Sequence, residues 1–224
     1  MSLSHAILAA ISNQSCSGYD LAKKFDGSIG FFWNATHQQI YRELIKLEKQ
    51  SQIKAKLIHQ EHRPDKKIYS LTSAGEEFLR KWIETPSTVG LLKDDLLVKI
   101  FAGSVVSPQI LVVELKHHYT QHLESLHIYE ALAGKHFTDR SQLSDVGRYQ
   151  YITLRQGIRL ETEWLAWCEE AIELLGMSSI MGTSDRELLE AHPKPTQTDL
   201  DNAWVYTETC PDEIANAISA NEAD

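Results

Sequence analysis

The chain has 224 residues, 42% hydrophobic and 24% charged, with a net charge of −9, a composition typical of a globular protein with one large or two small domains. It contains no apolar run of about 18 residues, so no membrane-spanning helix is expected. The three cysteines are far apart without a Cys-x-x-Cys pair, which excludes a zinc finger and favours a reducing compartment. The first residues lack the basic region of a signal peptide, so a cytoplasmic location is expected.

The first predicted elements are two short helices. Residues 3–11 are largely apolar, and a helix formed there would pack in a core. Ser15 or Ser17 can cap a second helix, which carries Tyr19 and ends at the break of residues 26–30.

A third helix and a strand follow. Residues 36–50 place Ile40, Leu44 and Leu47 four and three residues apart, which is the spacing of one buried helix face. Residues 53–58 largely alternate apolar and polar side chains, as a half-buried strand does.

A basic turn connects this strand to a second one. The turn spans residues 61–67 and carries three fixed positive charges, Arg63, Lys66 and Lys67. Residues 68–71 return as a short strand, and residues 72–77 have the spacing of a capping box at the start of another helix. Helix, β-hairpin with a basic tip and helix is the order of a winged helix, which indicates a DNA-binding protein rather than an enzyme.

Three helical segments are predicted beyond a domain limit at residues 85–88. The first covers residues 91–102 and is amphipathic. The second is a long helix that opens at Ser107 and Pro108, since a proline in the first turn lacks only an N–H that has no helical partner there. The third covers residues 142–175.

Two of these segments carry apolar seams like those of coiled coils. On the long helix the seam positions alternate at steps of three and four. The last helix supports two seams, one of them broken only by Glu161. One seam can pack within the chain and a second face then needs a partner, which predicts dimerisation; a buried central helix in a monomer explains the pattern nearly as well. The predicted dimerisation residues are Val112, Leu115, Tyr119, His122, Leu126, Leu160, Trp164 and Trp167.

Charge and composition divide the chain into three parts, residues 1–85, 86–178 and 179–224. The first part carries 12 Lys and Arg against 9 Asp and Glu, a net charge of +3, and the remaining residues carry 10 against 22, a net charge of −12. Because an acidic surface repels a phosphate backbone, only the first part is suited to bind one. The last part is rich in Gly, Ser, Thr, Pro and acidic residues and is expected to be a partly mobile tail.

Several short motifs resemble a known family. They are residues 3–8 (LSHAIL), 17–21 (SGYDL), 39–44 (QIYREL), 67–72 (KIYSLT) with Gly75, and 96–101 (LLVKIF). The first four resemble the PadR family of bacterial transcriptional regulators, and the last resembles the opening of the helical C-terminal domain in its AphA-like, virulence-activator subgroup. The resemblance covers residues 3–175, with one departure at residues 14–16, where the family more usually has a glycine-containing approach to the second helix.

The resemblance implies a mainly α-helical protein. Its N-terminal domain, residues 1–85, would be a winged helix-turn-helix with a β-hairpin wing, and residues 86–178 would form a helical, coiled-coil-like domain for dimerisation and effector binding. It also implies a homodimer that binds palindromic operator DNA and regulates transcription, without a cofactor or catalytic activity. Some members bind small aromatic compounds, and the effector here is left open.

The candidate DNA-contacting residues lie in three places. If the apolar face of the third helix points inward, its outer face carries Thr36, His37, Gln38, Tyr41 and Arg42. A glutamine can bond an adenine edge, an arginine a guanine or a phosphate, and a tyrosine a phosphate oxygen. The further candidates are Arg63, Lys66 and Lys67 in the wing and Ser17 and Tyr19 at the start of the second helix. Each could instead be a solvated surface side chain, and Tyr41 a half-buried core tyrosine.

Other residues of the sequence allow further interpretations. His118 and His122 have a spacing that can chelate a metal, but an exposed helix with several histidines is the commoner outcome, and we expect no metal site. Protonation of His122 within a seam could make assembly depend on pH. Cys168 is expected in the core, and Glu161 is either an ion-pair partner or faces water. No catalytic motif is present, so the main alternative is a protein–protein adaptor that kept the winged-helix fold without affinity for DNA.

Overall fold

The computed structural model describes residues 3–26, 29–30, 32–59, 65–90 and 93–176. They form two compact units that adjoin in sequence between Ser87 and Thr88. The fold is mainly helical with one small antiparallel sheet, as the sequence predicted. None of the described helices is long and apolar enough to cross a membrane.

The first unit combines helices with a three-stranded sheet. In chain order its elements are α1 (Leu3–Ser12), β1 (Cys16–Ser17), α2 (Gly18–Asp26), α3 (His37–Lys49), β2 (Ile53–Ile58), β3 (Lys66–Leu71) and α4 (Ser73–Glu84). The strands are antiparallel in the order β1-β3-β2.

One apolar core holds this unit together. Ile7 of α1 and Leu21 of α2 are fully buried in it, together with Ile40, Leu44 and Leu47 of α3. Burying a side chain of this size contributes about 1.5–3 kcal/mol relative to leaving it in water. The three α3 residues predicted to face inward therefore do so, and their burial determines which face of α3 points outward.

The predicted hairpin is formed by β2 and β3. Ile53 lies opposite Leu71, and Ile58 lies opposite Lys66. The second strand begins two residues earlier than predicted, since Lys66 and Lys67 continue the ladder. The tip of the hairpin, residues 60–64, lies outside the described residues.

Strand β1 was not predicted. It consists of two residues, Cys16 and Ser17, which pair with Tyr69 and Ile68 of β3. A strand of two residues is too short to show the alternation by which strands are recognised in a sequence.

Threonines cap the two helices that flank the hairpin. Thr36 Oγ1 accepts a hydrogen bond from Gln39 N–H at 3.3 Å, and Gln39 Oε1 accepts one from Thr36 N–H at 2.8 Å, which completes a capping box for α3. Thr72 caps α4 by accepting from Gly75 N–H at 3.1 Å. Caps of this kind typically stabilise a helix by about 1 kcal/mol.

The second unit is built on a helical hairpin. Its helices are α5 (Asp95–Phe101), α6 (Pro108–His136) and α7 (Asp145–Leu174), with single 3-10 turns at Gly103–Val105 and Arg140–Gln142. Tyr119 donates a hydrogen bond to Glu169 at 3.1 Å, while the rings of Phe137 and Tyr151 lie 5.2 Å apart. These contacts show that α6 and α7 run antiparallel.

Helix α5 begins later than the sequence predicted. The prediction placed its start at residue 91, but the helix starts at Asp95. Asp94 Oδ1 accepts from Leu96 N–H at 2.8 Å and thereby caps the helix at this point. The long helix α6 begins as predicted, with Pro108 in its first turn.

Candidate nucleic-acid interface

The outer face of α3 carries the main candidates for base contact. Gln38 and Arg42 are exposed and make no hydrogen bond or ion pair with the described residues. Both side chains are therefore available to an external partner. Thr36 is exposed, but its hydroxyl serves the capping box.

His37 has a partner within the unit. Its Nε2 lies 2.8 Å from Asp26 Oδ2, and both side chains are more than half exposed. This pair joins the last residue of α2 to the first residue of α3. A contact between His37 and DNA would have to compete with Asp26.

Tyr41 lies between the core and solvent. Its side chain is 43% exposed, yet the edge of its ring packs closely over the backbone of Gly18 at the start of α2. The predicted alternatives for Tyr41 were a DNA contact and a half-buried core residue. The structure shows one covered ring edge on a side chain that is otherwise accessible in part.

The two candidates at the start of α2 differ in exposure. Ser17 is buried, and its hydroxyl donates to Asp20 Oδ2 at 2.7 Å and accepts from Asp20 N–H at 3.1 Å. Ser17 is thus the cap of α2, and a contact between its hydroxyl and phosphate, which stays a prediction, would have to compete with Asp20. Tyr19 is 59% exposed, with Lys23 Nζ 5.1 Å from its ring centroid, a cation–π distance.

The wing lysines are paired with acidic residues of neighbouring helices. Lys66 Nζ lies 3.1 Å from Asp20 Oδ2, and Lys67 Nζ lies 3.8 Å from Glu48 Oε2. Burial raises the pKa of Asp20, but hydrogen bonds from Ser17 and Lys66 outweigh burial and leave the pKa below its ordinary value.

These acids were not among the predicted site residues. A Ser-x-x-Asp spacing from Ser17 to Asp20 signals a cap, but nothing in the sequence signals the ion pairs to β3. Arg63, the remaining wing candidate, lies outside the described residues.

The predicted dimerisation residues fall into two groups. Four of them, all on α6, are buried within the single chain. These four are Val112, Leu115, Tyr119 and Leu126.

The other predicted residues lie at or near an apolar stripe on α7. The buried face of α7 carries Leu154, Ile158 and Leu165. A second line of side chains on a different face is wholly or partly exposed, and we call it the outer stripe: Val146, Tyr149, Leu160, Trp164, Trp167, Ala171 and Leu174. His122 of α6 reaches this stripe by stacking face to face on Trp164, with ring centroids 4.9 Å apart.

Neither metal ligands nor reactive thiols are assembled in the part of the chain that the structure describes. No group of three or more His, Cys, Asp or Glu residues there could hold a metal ion. Glu114, which precedes the histidine pair on α6, is bound to Lys99. Cys168 is buried, as predicted, and burial raises the pKa of its thiol to about 11.

Comparisons with known proteins cover both units. The model of the PadR-like family of transcriptional regulators matches residues 7–81, and that of the virulence activator alpha C-terminal domain matches residues 92–176. A probable transcriptional regulator of Mycobacterium tuberculosis is 36% identical over 78% of this chain and 98% of its own length.

Solved structures match over a similar extent. Bacillus subtilis PadR in complex with operator DNA is 26% identical with a TM-score of 0.68, over 77% of this chain and 98% of its own. The same protein with p-coumaric acid is 26% identical with a TM-score of 0.64, over 78% and 98%. The virulence activator AphA of Vibrio cholerae is 29% identical with a TM-score of 0.64, also over 78% and 98%.

A helical core with a three-stranded sheet, an outward-facing helix before the hairpin and a separate helical unit define a winged-helix transcriptional regulator. The chain is 36% identical to the Mycobacterium tuberculosis regulator over nearly the whole length of that protein, which is enough to assign the two to one family. The chain belongs to the PadR-like family of transcriptional regulators and has the AphA-like C-terminal domain. As the sequence predicted, it belongs with regulators and not with enzymes.

Proposed function

We propose that this protein binds operator DNA sequence-specifically as a homodimer and thereby regulates transcription. The observation that carries the proposal is the outer face of α3, where Gln38 and Arg42 are exposed without partners among the described residues. A helix that enters the major groove needs such side chains in its first turns. The complex of Bacillus subtilis PadR with operator DNA supports the same use of this fold.

The proposed contacts divide by role. Gln38 bonds an adenine edge and Arg42 a guanine edge or a phosphate, so both contribute to sequence discrimination. Tyr41, Tyr19 and the wing residues Arg63, Lys66 and Lys67 contact the backbone, which gives affinity without discrimination. His37 and Thr36 lie beside this face and help to position it.

The outer stripe supports the homodimer. It presents Leu160 and Leu174, which are 51% and 79% exposed, beside two tryptophans. Along α7 the exposed arginines lie in the first half, at Arg148, Arg155 and Arg159, and exposed glutamates follow in the second half, from residue 163 to residue 173. If two copies of α7 packed antiparallel, the arginines of each helix would lie beside the glutamates of the other. The charges flanking the outer stripe are therefore complementary to those of a second copy.

The two parts of the chain would then have separate tasks. Residues 1–85 bind DNA, residues 86–178 form the dimer and the effector domain, and residues 179–224 remain an acidic tail of unassigned role. A dimer that sets its two α3 helices about 34 Å apart would bind half-sites one duplex turn apart, hence a palindromic operator.

An effector could act by changing that separation. Bacillus subtilis PadR has been solved with p-coumaric acid, which supports a small-molecule effector here without identifying it. A reducing cytoplasm, where the operator DNA would be, is the proposed location.

The proposal is tested by binding to the DNA upstream of the protein's own gene, compared with an unrelated fragment of equal length at two salt concentrations. We expect preferential binding to the upstream fragment, with affinity for both fragments falling as salt rises. An absence of preference at low salt would favour the adaptor alternative. The two ion pairs of Lys66 and Lys67 support that alternative, because a lysine bound to a carboxylate of the same unit is less available to a phosphate.

A further inference from the structure

The first turn of α2 has no room for a side chain at Gly18. A Cβ atom placed on Gly18 would lie 2.5 Å from Cε1 of Tyr41 and 3.3 Å from its Cδ1 and Cζ atoms. The optimal separation of two carbon atoms that are not bonded to each other is about 3.5–4.0 Å. The ring of Tyr41 therefore occupies the space that any other residue at position 18 would need.

The same ring lies near Tyr69 of the sheet. Tyr69 of β3 is buried, and burial, followed by the nearby Glu48 and Tyr41, raises the pKa of its hydroxyl. Tyr69 pairs with Cys16 in β1, two residues before Gly18. The ring of Tyr41 thus contacts the start of α2 and lies near the wing strand β3.

The remaining surface of Tyr41 is accessible. With 43% of the residue exposed, the ring is held at one edge while the rest of the side chain faces outward. It extends from the same helix as Gln38 and Arg42. A tyrosine held in this way is already oriented before a ligand arrives, which reduces the entropy lost on binding.

We propose that Gly18 is a positioning residue for DNA binding. The absence of a side chain at Gly18 lets the ring of Tyr41 rest on the backbone of α2, and this contact orients Tyr41 toward the DNA backbone. The inference rests on the proposed function for its effect on DNA. The contact between Gly18 and Tyr41 is a property of the free protein.

The variant Gly18→Ala should displace Tyr41 without unfolding the protein, so it separates the positioning role of Gly18 from any role in folding. Alanine is a better helix former than glycine, so α2 tolerates it. The obstructing atoms belong to a partly exposed side chain that can rotate away, so the fold survives while Tyr41 is displaced. Gly134 of α6 is a matched control, because a Cβ there would meet nothing within 4 Å.

The test is a double-mutant cycle of Gly18→Ala and Tyr41→Ala, read as the dissociation constant for the upstream DNA fragment. We expect Gly18→Ala to weaken binding about tenfold, and to have less than about a twofold effect when Tyr41→Ala is already present. Gly134→Ala should leave binding unchanged. An unaltered affinity of Gly18→Ala, or an equal loss in both backgrounds, would overturn the proposal.

A second measurement needs no DNA. In protein labelled with 3-fluorotyrosine, the fluorine resonance of Tyr41, assigned by its loss in Tyr41→Phe, should shift in Gly18→Ala and stay in place in Gly134→Ala. If the wild type showed no preference for the upstream fragment, the proposed function would fail, and with it the DNA role of Gly18. The resonance would still decide whether Gly18 positions Tyr41, since an unshifted signal would overturn that contact.

Discussion

His122 and Glu161 are hydrogen-bonded between α6 and α7, with 2.5 Å between Nδ1 of the histidine and Oε2 of the carboxylate. Glu161 is the acid that interrupts the apolar seam of α7, and it is only 8% exposed. Burial raises the pKa of the neighbouring Tyr129 to about 12, with the charge of Glu161 as a second cause. Of the two roles predicted for Glu161, ion-pair partner or water-facing residue, the structure favours the first, because the carboxylate is buried and bonded to His122.

This pair leads to a prediction on stability. His122→Leu leaves the Glu161 carboxylate buried without its partner and should lower the free energy of unfolding by about 3 kcal/mol, measured by urea denaturation. The double variant His122→Leu with Glu161→Leu should regain most of that loss, because two apolar side chains suit a seam.

A surface ion pair provides the control for that prediction. Arg80 bonds Glu77 and Glu84 at the exposed surface of α4, so Arg80→Ala should leave the urea midpoint nearly unchanged. A double variant as unstable as His122→Leu alone would contradict the account of the buried pair.

Asp20 should make the stability of the first unit depend on pH. Its pKa is lowered in the folded state by Ser17 and Lys66, which outweigh burial, from an ordinary value of 3.8. A group whose folded pKa is depressed stabilises the fold above its unfolded pKa, and this contribution is lost as the pH falls through the folded pKa.

Asp20→Asn should therefore be less stable than the wild type at pH 7, and the difference should shrink steadily below pH 3.8. Urea unfolding curves at pH 7, 4 and 2.5 measure it. A difference that stays constant over this range would show that the lost stability comes from packing and not from the charge of Asp20.

Glu48 should weaken DNA binding by holding Lys67. Their atoms lie 3.8 Å apart, and both side chains are partly exposed. Glu48→Gln releases the lysine and removes a negative charge near the proposed wing contact, so affinity for operator and unrelated DNA should rise together, by about threefold at low salt.

Glu76→Gln is the matched control, since it removes the same charge from an exposed position on α4. Titrations of labelled DNA with each variant give the comparison. Equal gains from both substitutions would mean that only the net charge matters, and that Glu48 has no particular role.

The outer stripe should carry the dimer contact. Leu160 is 51% exposed at its centre, so Leu160→Asp should turn the dimer into a monomer by placing a charge in an apolar interface. Sedimentation equilibrium measures the change. Ala166→Asp places the same charge on an exposed position of α7 outside the stripe and should leave the dimer intact. A dimer that survives Leu160→Asp would assign the contact to another face.

The parts of the fold that were predictable are those with a local signal. The spacing of Ile40, Leu44 and Leu47 indicated which face of α3 is buried. The residues of the opposite, exposed face could then be predicted as well. The hairpin was predictable from alternation and the basic turn. Periodicity shows that a face is buried but not what covers it. Val112 and Leu115, predicted to lie in a dimer contact, are already buried within the single chain.

The site was harder to predict because its contacts join residues far apart in the sequence. Lys66 meets Asp20, and Tyr41 meets Gly18, only after the sheet and α3 have packed together. No spacing along the chain encodes such a pair. Charge counting predicted that the first unit is basic, but it could not predict that acids of the same unit hold two of the wing lysines.

Base reading by α3 is tested most directly by comparing two variants, Gln38→Ala and Gln50→Ala. For each variant, the affinity for the upstream fragment is divided by the affinity for unrelated DNA. Gln50 is an exposed glutamine at the other end of the same helix. We predict that Gln38→Ala lowers this ratio about tenfold, the value of one good base contact, and that Gln50→Ala leaves it unchanged. If Gln38→Ala weakened binding to both DNAs equally, base reading by this residue would be contradicted.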